Sequence, residues 1–323
     1  MQFPRNVVTG TGVLENMESR KCTVICDPGL RHIGERIADK TGGSLVLHDS
    51  LEASDIKKLK TESVLGVGGG RTLDIAKYAA FCNKKEMTSI PTTLSNDGIA
   101  SKISILKENG KKTTKECGVP IEVIADFSVI KRSPYRLIAA GFGDAISNIS
   151  AVADWTLADK AGKDKYNRFI GDVSLLAAKS AAAHAGEIRK KNEEGIEALL
   201  WSLLTSGFAM NFHSSSRPCS GSEHAFSHAL DASLGGRAAL HGEQVAMGTI
   251  ISLYLHDQDW EAVRKLIKDI GLPINSKEIG ISDDELVKAL VAARDIRKRY
   301  TILDKAKLGD TEAREVLKNI EII

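Results

Sequence analysis

The chain has 323 residues, 42% of them hydrophobic and 27% charged, the balance of a soluble globular protein long enough for two domains. Its 44 Lys and Arg against 42 Asp and Glu leave a formal charge of +2, which speaks against a nucleic-acid or membrane-surface partner and leaves only a local patch to hold a small anion. No stretch reaches the roughly 20 apolar residues that span a bilayer, and the amino terminus lacks a basic segment followed by an apolar core, so a cytoplasmic protein without membrane insertion is expected.

The first 130 residues alternate short β-branched runs with helical patterns. CTVICD (22–27) reads as a strand and LRHIGERIADK as a helix; SLVLH (44–48) is a second strand, followed by a polar helix near 51–60. SVLGV (63–67) is a third strand, GGG a turn, RTLDIAKYAAF a helix and MTSIP (87–91) a fourth strand. Such alternation predicts parallel strands joined by crossover helices, with ligands at the carboxyl ends of the strands. KISIL, the Asn109-Gly110 turn signal and KKTTKECG then predict a hairpin, and PIEVIADFSVI a closing strand. Cys22 and Cys26 flank the first strand as small hydrophobes; with Cys82, Cys117 and Cys219 they make an odd number without a CxxC pair, so neither disulfides nor a cysteine zinc site is expected.

From Ser133 onward the pattern is helical: PYRLIAAGFGDAISNISAVADWTLA, VSLLAAKSAAAHAGEIRKK, IEALLWSLLTSGFAMNF, HGEQVAMGTIISLYLH, WEAVRKLIKDIG and DDELVKALVAARDIRKRY. The expected organisation is therefore an α/β nucleotide-binding domain with a Rossmann-like parallel sheet over 1–132, and an all-α domain over 133–323, with a ligand cleft where they meet.

In SVLGVGGGRTLDIAK the glycines let the backbone approach a pyrophosphate, and the helix amino terminus offers free N–H groups. The spacing is not the usual dinucleotide fingerprint, since Arg71 stands where a third glycine would follow Gly66-Val67-Gly68; nor is it a P-loop, which requires Gly-Lys-Ser/Thr. A tight strand-to-helix turn is the alternative reading. PTTLSNDG (91–98) follows the next strand, and its hydroxyls suit a nucleotide, with Asp97 an acceptor for substrate hydroxyls; a plain Asx turn accounts for the same residues. Asp27, at the end of the first strand, suits the adenine-ribose hydroxyls and favours NAD over NADP, an effect that Arg31 softens.

Four of the eight histidines fall between His213 and His241, where an even spread would put fewer than one. His224 and His228 lie i, i+4 on one helix face, and His241 opens the next helix. Two imidazoles plus one carboxylate make a divalent-metal site with an open position, as in catalytic zinc. HAFSH lacks the glutamate of HExxH, so the carboxylate must come from elsewhere, and Asp144, ionisable among small apolar neighbours, is the best candidate. His213 reads as structural or as a support for the site, and Arg217 as a candidate phosphate contact or a salt bridge.

The segments GVGGGRTLDIAK, SIPTTLSNDGIASKISI, RLIAAGFGDAISN, SSRPCSGSEHAFSHALD and LHGEQVAMG, in this order, resemble the sn-glycerol-1-phosphate dehydrogenases of the archaeal type. That family sits beside the glycerol dehydrogenases, the iron-dependent alcohol dehydrogenases and 3-dehydroquinate synthase. The resemblance spans about residues 5–260 and implies a zinc ion held by Asp144, His224 and His241, with Asp97, Asp144 and His228 on the substrate and His228 as the proton-transfer residue. It also implies NAD(H) or NADP(H) along Gly68, Gly69, Gly70, Arg71, Thr72, Leu73, Asp74, Thr92, Thr93, Leu94, Ser95 and Ser101. The implied reaction is reduction of dihydroxyacetone phosphate to sn-glycerol 1-phosphate, the glycerophosphate backbone of archaeal ether lipids. The implied partners are the small phosphorylated substrate and further copies of the chain. A polyol dehydrogenase on the same scaffold and a non-catalytic nucleotide-binding protein are the competing readings.

Overall fold

The computed structural model describes residues 3–51, 56–108, 111–237 and 239–323. It divides into two compact units, Met1–Pro134 and Tyr135–Ile323. The Asn109-Gly110 turn signal and positions 52–55 of the expected polar helix lie outside the described residues.

The first unit holds β1 (Asn6–Gly10), β2 (Thr23–Cys26), β3 (Ser44–Leu47), β4 (Ser63–Gly68), β5 (Glu86–Pro91), the antiparallel hairpin β6 (Ile103–Glu108) and β7 (Lys111–Glu116), and β8 (Glu122–Asp126). Six strands form one parallel sheet in the order β1-β8-β5-β4-β2-β3. Its central strands are buried on both faces, hence the continuous β-branched runs: Val24, Ile25, Val64, Leu65 and Val67 are all fully buried. Helices α1 (Arg31–Thr41) and α2 (Gly70–Asn83) cross over between parallel neighbours. In α1 the buried positions Ile33, Ile37, Ala38 and Thr41 recur at helical spacing, and Gly42, in the left-handed region at φ 71°, ends the helix.

Two details differ from the sequence expectation. The strand β1 was not foreseen, because NVVTG is too short and too polar at its ends to stand out from a loop, and it is fixed by pairing with β8. PIEVIADFSVI is not one strand: β8 ends at Asp126, whose carboxylate caps a single helical turn over Phe127–Ile130. Asp126 accepts from the Gly12, Leu14 and Ser128 amides at 3.0, 3.2 and 2.9 Å and from the Ser128 hydroxyl at 2.6 Å. Burial pushes its carboxyl up, but these four bonds outweigh it and hold the group below the ordinary carboxylate range. The folded pKa is thus the lower one, so the group's contribution to stability is complete above the unfolded value of 3.8 and fades as pH falls through the folded value. Asp126→Asn should cost about 1–3 kcal/mol in urea unfolding at neutral pH and distinctly less near pH 3; equal losses at both pH values would contradict this account.

The second unit is helical: α3 (Tyr135–Ile146), α4 (Asn148–Lys160), α5 (Arg168–Ala183), α6 (Glu193–His213), α7 (Ser222–Leu234), α8 (His241–Leu255), α9 (Trp260–Asp269), α10 (Asp283–Ala293) and α11 (Asp310–Asn319), with shorter turns between. The run 134–158 read as one helix is two, broken at Ser147. The helix read over 283–300 stops at Ala293, because the apolar spacing ends there and the following residues carry charge without periodicity. Helix α8 is buried from Gly242 to Leu253, which explains its lack of a polar face. Trp155, fully buried, packs with Ile170, Ala209, Met210 and Cys219. The His213 ring meets Trp155 edge-on at 4.7 Å and its Nδ1 pairs with the Ser215 hydroxyl at 2.8 Å, which makes His213 part of this core. No helix among the described residues is long and apolar enough to cross a membrane.

Candidate metal and substrate site

Helices α3, α7 and α8 of the second unit bring Asp144, His224 and His241 together, one ligand atom from each lying within 4.8 Å of the others. The Asp144 Oδ1 is 3.7 Å from His224 Nε2 and 3.5 Å from His241 Nε2. The close approach of α3 to α8 depends on glycine: a Cβ on Gly242 would collide with the Ala140 carbonyl, and one on Gly143 with the Gly242 carbonyl. Asp144 and His241 are the chain neighbours of these two glycines, so the helix crossing itself sets the spacing of the ligands.

Both imidazoles are held with Nε2 toward Asp144. Glu223, fully buried, accepts from His224 Nδ1 at 2.8 Å and is itself fixed by the Gly221 amide at 2.6 Å and the Ser150 hydroxyl at 2.8 Å. The Ser227 hydroxyl donates to Gln244 Oε1 at 2.7 Å, so at 3.0 Å it is left to accept the Nδ1 proton of His241. With Nδ1 of each ring engaged from behind, both Nε2 atoms face Asp144, where a divalent cation would take the place of a proton, as in histidines that ligate a metal. Burial pulls the His224 imidazole down, but its bonds to Asp144 and Glu223 outweigh that and hold it up at about 9. The potential that favours a proton on His224 favours a divalent cation in the same place. The donor set therefore fits a metal, and hydrogen bonding at each Nδ1 fixes the orientation of both rings. Glu223→Gln, which removes the charge behind His224, should weaken metal binding 10–100-fold in competition with a chromogenic chelator; an unchanged affinity would reduce Glu223 to a packing residue.

His228 points elsewhere. Its ring centroid is 6.5 Å from that of His224 and 6.2 Å from that of His241, and its Nε2 accepts from Arg297 at 2.7 Å. A guanidinium has no acceptor, so this nitrogen carries no proton and Nδ1 is the protonated one. Arg297 also donates to the Ser220 hydroxyl at 3.3 Å, while Arg299 donates to the Ser220 carbonyl at 2.6 Å and the Ser216 hydroxyl at 3.1 Å. Neither arginine stands out in the sequence, where RDIRKRY reads as the end of the helix over 283–300; the one available signal is its density of basic residues. Of the two readings of Arg217, the structure shows the salt bridge. The residue is 2% exposed, donates to the carbonyls of Asp154 and Tyr300 at 3.0 Å each, and lies 3.0 Å from the Asp164 carboxylate, so it anchors the 297–302 segment from inside.

In the first unit, β4 runs into α2 through Gly68-Gly69-Gly70. Gly69 offers no side-chain cap, and the first turn leaves the amides of Gly70, Arg71 and Thr72 without helical acceptors, an anion-binding arrangement. A Cβ on Gly68 would meet Thr72 Oγ1 at 2.5 Å, so the turn is also tight for packing reasons. The PTTLSNDG loop lies against this turn, with Asn96 beside Gly70 and Thr93 beside Gly69. The Thr93 hydroxyl is buried without a hydrogen-bond partner, an orphan that a ligand atom would satisfy. Several residues expected on the cofactor turn inward instead. Leu73 and Leu94 are buried core and Thr72 Oγ1 pairs with His48 Nδ1 at 3.0 Å. Asp74 accepts from the Ile105 amide at 3.0 Å and pairs at 2.9 Å with the buried Lys77, which also holds the carbonyls of Gly98, Ser101 and Ile103. Asp74 is thus tied to strand β6 and, through Lys77, to the loop that carries Asp97, while the Ser101 carbonyl accepts from the same ammonium. Asp27 accepts from the Gly29 amide at 2.9 Å, and Arg31 pairs with Glu35 at 3.4 Å on the surface.

The fold is that of the polyol and iron-type dehydrogenases. Glycerol dehydrogenase from Schizosaccharomyces pombe superposes at a TM-score of 0.81 over 99% of this chain and 90% of its own, at 20% identity. Sulfoacetaldehyde reductase from Bifidobacterium kashiwanohense, solved with NAD+, does so at 0.74 over 99% and 97%, at 16% identity. The family model described as iron-containing alcohol dehydrogenase matches residues 8–134. In sequence, glycerol-1-phosphate dehydrogenase [NAD(P)+] of Thermococcus kodakarensis is 40% identical over 100% of this chain and 98% of its own, and that of Methanosarcina barkeri 36% identical over 100% and 96%. The chain belongs to the glycerol-1-phosphate dehydrogenase family.

Proposed function

We propose that this chain reduces dihydroxyacetone phosphate to sn-glycerol 1-phosphate with NADH or NADPH, using a zinc ion held by Asp144, His224 and His241. The observation that carries the reading is this donor triad, intact and with both rings oriented from behind, in a chain aligned over its full length with the glycerol-1-phosphate dehydrogenases. A divalent ion in a site of two neutral imidazoles and one carboxylate keeps net positive charge and an open position, the chemistry that polarises a ketone for hydride attack. The chain's own residues do the rest. The amides of Gly70 to Thr72 and the Thr93 hydroxyl hold the dinucleotide; Asp97 and Asp144 accept from substrate hydroxyls; Glu223 and Ser227 keep the ligand rings from turning. His228, with Arg297 on Nε2, relays a solvent proton toward the developing alkoxide through its Nδ1 position, so that the proton passed on is replaced from water and the ring stays neutral. The product supplies the glycerol backbone of archaeal ether lipids.

The test is an assay of NADH oxidation by zinc-loaded protein, with the configuration of the product determined. Chelation should abolish turnover. Equal activity on unphosphorylated dihydroxyacetone would move the chain to the polyol dehydrogenases, and an sn-glycerol 3-phosphate product, or activity that survives chelation, would overturn the assignment.

A further inference from the structure

We infer that Arg297 and Arg299, with the Ser216–Ser220 loop, form the recognition site for the phosphate group of the substrate. The inference rests on the reading above that the substrate is a phosphorylated ketone.

Arg297 and Arg299, separated by Lys298, lie in the irregular turn-and-bend segment after α10, and both are partly buried. Each guanidinium has five N–H donors and uses two, all on neutral partners: Arg297 on the Ser220 hydroxyl and His228 Nε2, Arg299 on the Ser220 carbonyl and the Ser216 hydroxyl. Among the described residues, neither forms an ion pair with a carboxylate. Burial, and then the neighbouring Arg217 and Arg297, pull the Arg299 guanidinium down to about 10, and burial also pulls Arg297 down. Arg217 beside them is paired with Asp164, but Arg297 and Arg299 are two partly desolvated cations whose own hydrogen bonds reach only neutral groups, a costly arrangement that a bound anion would relieve. A phosphate dianion does so in the strongest way, because a guanidinium can bond two of its oxygens at once. The hydroxyls of Ser216 and Ser220 add donors on the same side.

The position is also right for this substrate. Arg297 touches His228, and His228 stands beside both ligand imidazoles, so a short molecule with its carbonyl at the metal and its phosphate on the arginines must pass His228. The segment carrying the arginines does not float. Arg217 holds the Tyr300 carbonyl, and Asp154, fully buried, accepts from the Ile302 amide at 2.6 Å, from the Ser222 amide at 2.6 Å and from His256 at 2.9 Å. One carboxylate thus fixes the arginine segment to the first turn of α7, the helix of His224 and His228. The near-neutral chain supplies its anion selectivity through this local cluster.

The experiment compares kcat/KM for dihydroxyacetone phosphate with kcat/KM for unphosphorylated dihydroxyacetone, in wild type and in Arg297→Gln, Arg299→Gln and the two lysine variants. Their ratio cancels losses in metal or cofactor binding that both substrates share. Each glutamine variant should lower the ratio about 100-fold, and each lysine variant should recover part of it. Ratios within threefold of wild type in both glutamine variants would overturn the inference, whereas a wild-type protein without phosphate preference would defeat the functional reading itself. Should a variant not fold, wild-type protein is labelled with phenylglyoxal and mapped by mass spectrometry. Inorganic phosphate should protect Arg297 and Arg299 while glycerol does not, and labelling of both that ignores phosphate would overturn the inference without any substitution.

Discussion

His241→Ala is expected to remove the metal and to lower turnover of dihydroxyacetone phosphate by at least about 10³-fold, since Lewis-acid polarisation of a ketone is worth several kcal/mol and each 1.36 kcal/mol is tenfold in rate. The effect should be this large because no neighbour can take over. His228, the nearest other imidazole, has its Nε2 occupied by Arg297, and Glu223 is fully buried and committed to His224, Gly221 and Ser150. NADH affinity should stay within about threefold, because the glycine turn and the PTTLSNDG loop belong to the other unit. Metal content by mass spectrometry, turnover and a fluorescence titration with NADH check the three parts separately. A variant that keeps one equivalent of zinc would mean that His228, not His241, is the second imidazole ligand.

Gly242→Ala should act on stability and on the site together. The added methyl would enter the space of the Ala140 carbonyl, and the reciprocal contact, Gly143 against the Gly242 carbonyl, blocks relief by a small shift. Both obstacles are backbone, so no rotamer change helps and α3 and α8 must move apart. Overpacking of this kind costs about 3 kcal/mol, at the upper end of the usual range. Because His241 and Asp144 adjoin the two glycines, the separation should appear as weaker metal binding as well as a lower urea midpoint. A variant with reduced stability and unchanged metal affinity would show that the ligands are positioned by Glu223 and Ser227 alone.

Much of this architecture was legible in the chain. The alternation of β-branched runs with helical patterns gave a parallel sheet because central parallel strands must be apolar on both faces, as Val24, Leu65 and Val67 are. The cluster of Asp144, His224 and His241 was legible in the local density of histidines, the isolated Asp144 and the family motifs. The boundary of α10 and the partners of Arg297 and Arg299 were not. Nothing local in RDIRKRY separates a solvent-facing helix end from a buried binding segment; the difference is made by Arg217 and Asp154, more than 80 and 140 residues away in sequence for the bonds to Tyr300 and Ile302. Glu223 and Ser227 were hidden for a similar reason. A glutamate before a histidine and a serine one turn from another are ordinary in helices, and only tertiary packing turns them toward the ring nitrogens. The inward turn of Asp74 likewise depends on the buried ammonium of Lys77 and the hairpin amide of Ile105.

The ligands Asp144 and His241 are brought together by a glycine-dependent crossing of two helices, so the three-donor site exists only once the helical unit has folded. An unfolded chain keeps only local pairs such as His224 and His228. Under the proposed assignment, free zinc would act as a thermodynamic ballast on the native state: at a hundredfold excess over Kd it would add about 2.7 kcal/mol, provided the unfolded chain binds none. The supply of metal would then govern how long the helical unit persists as well as how fast the enzyme turns over.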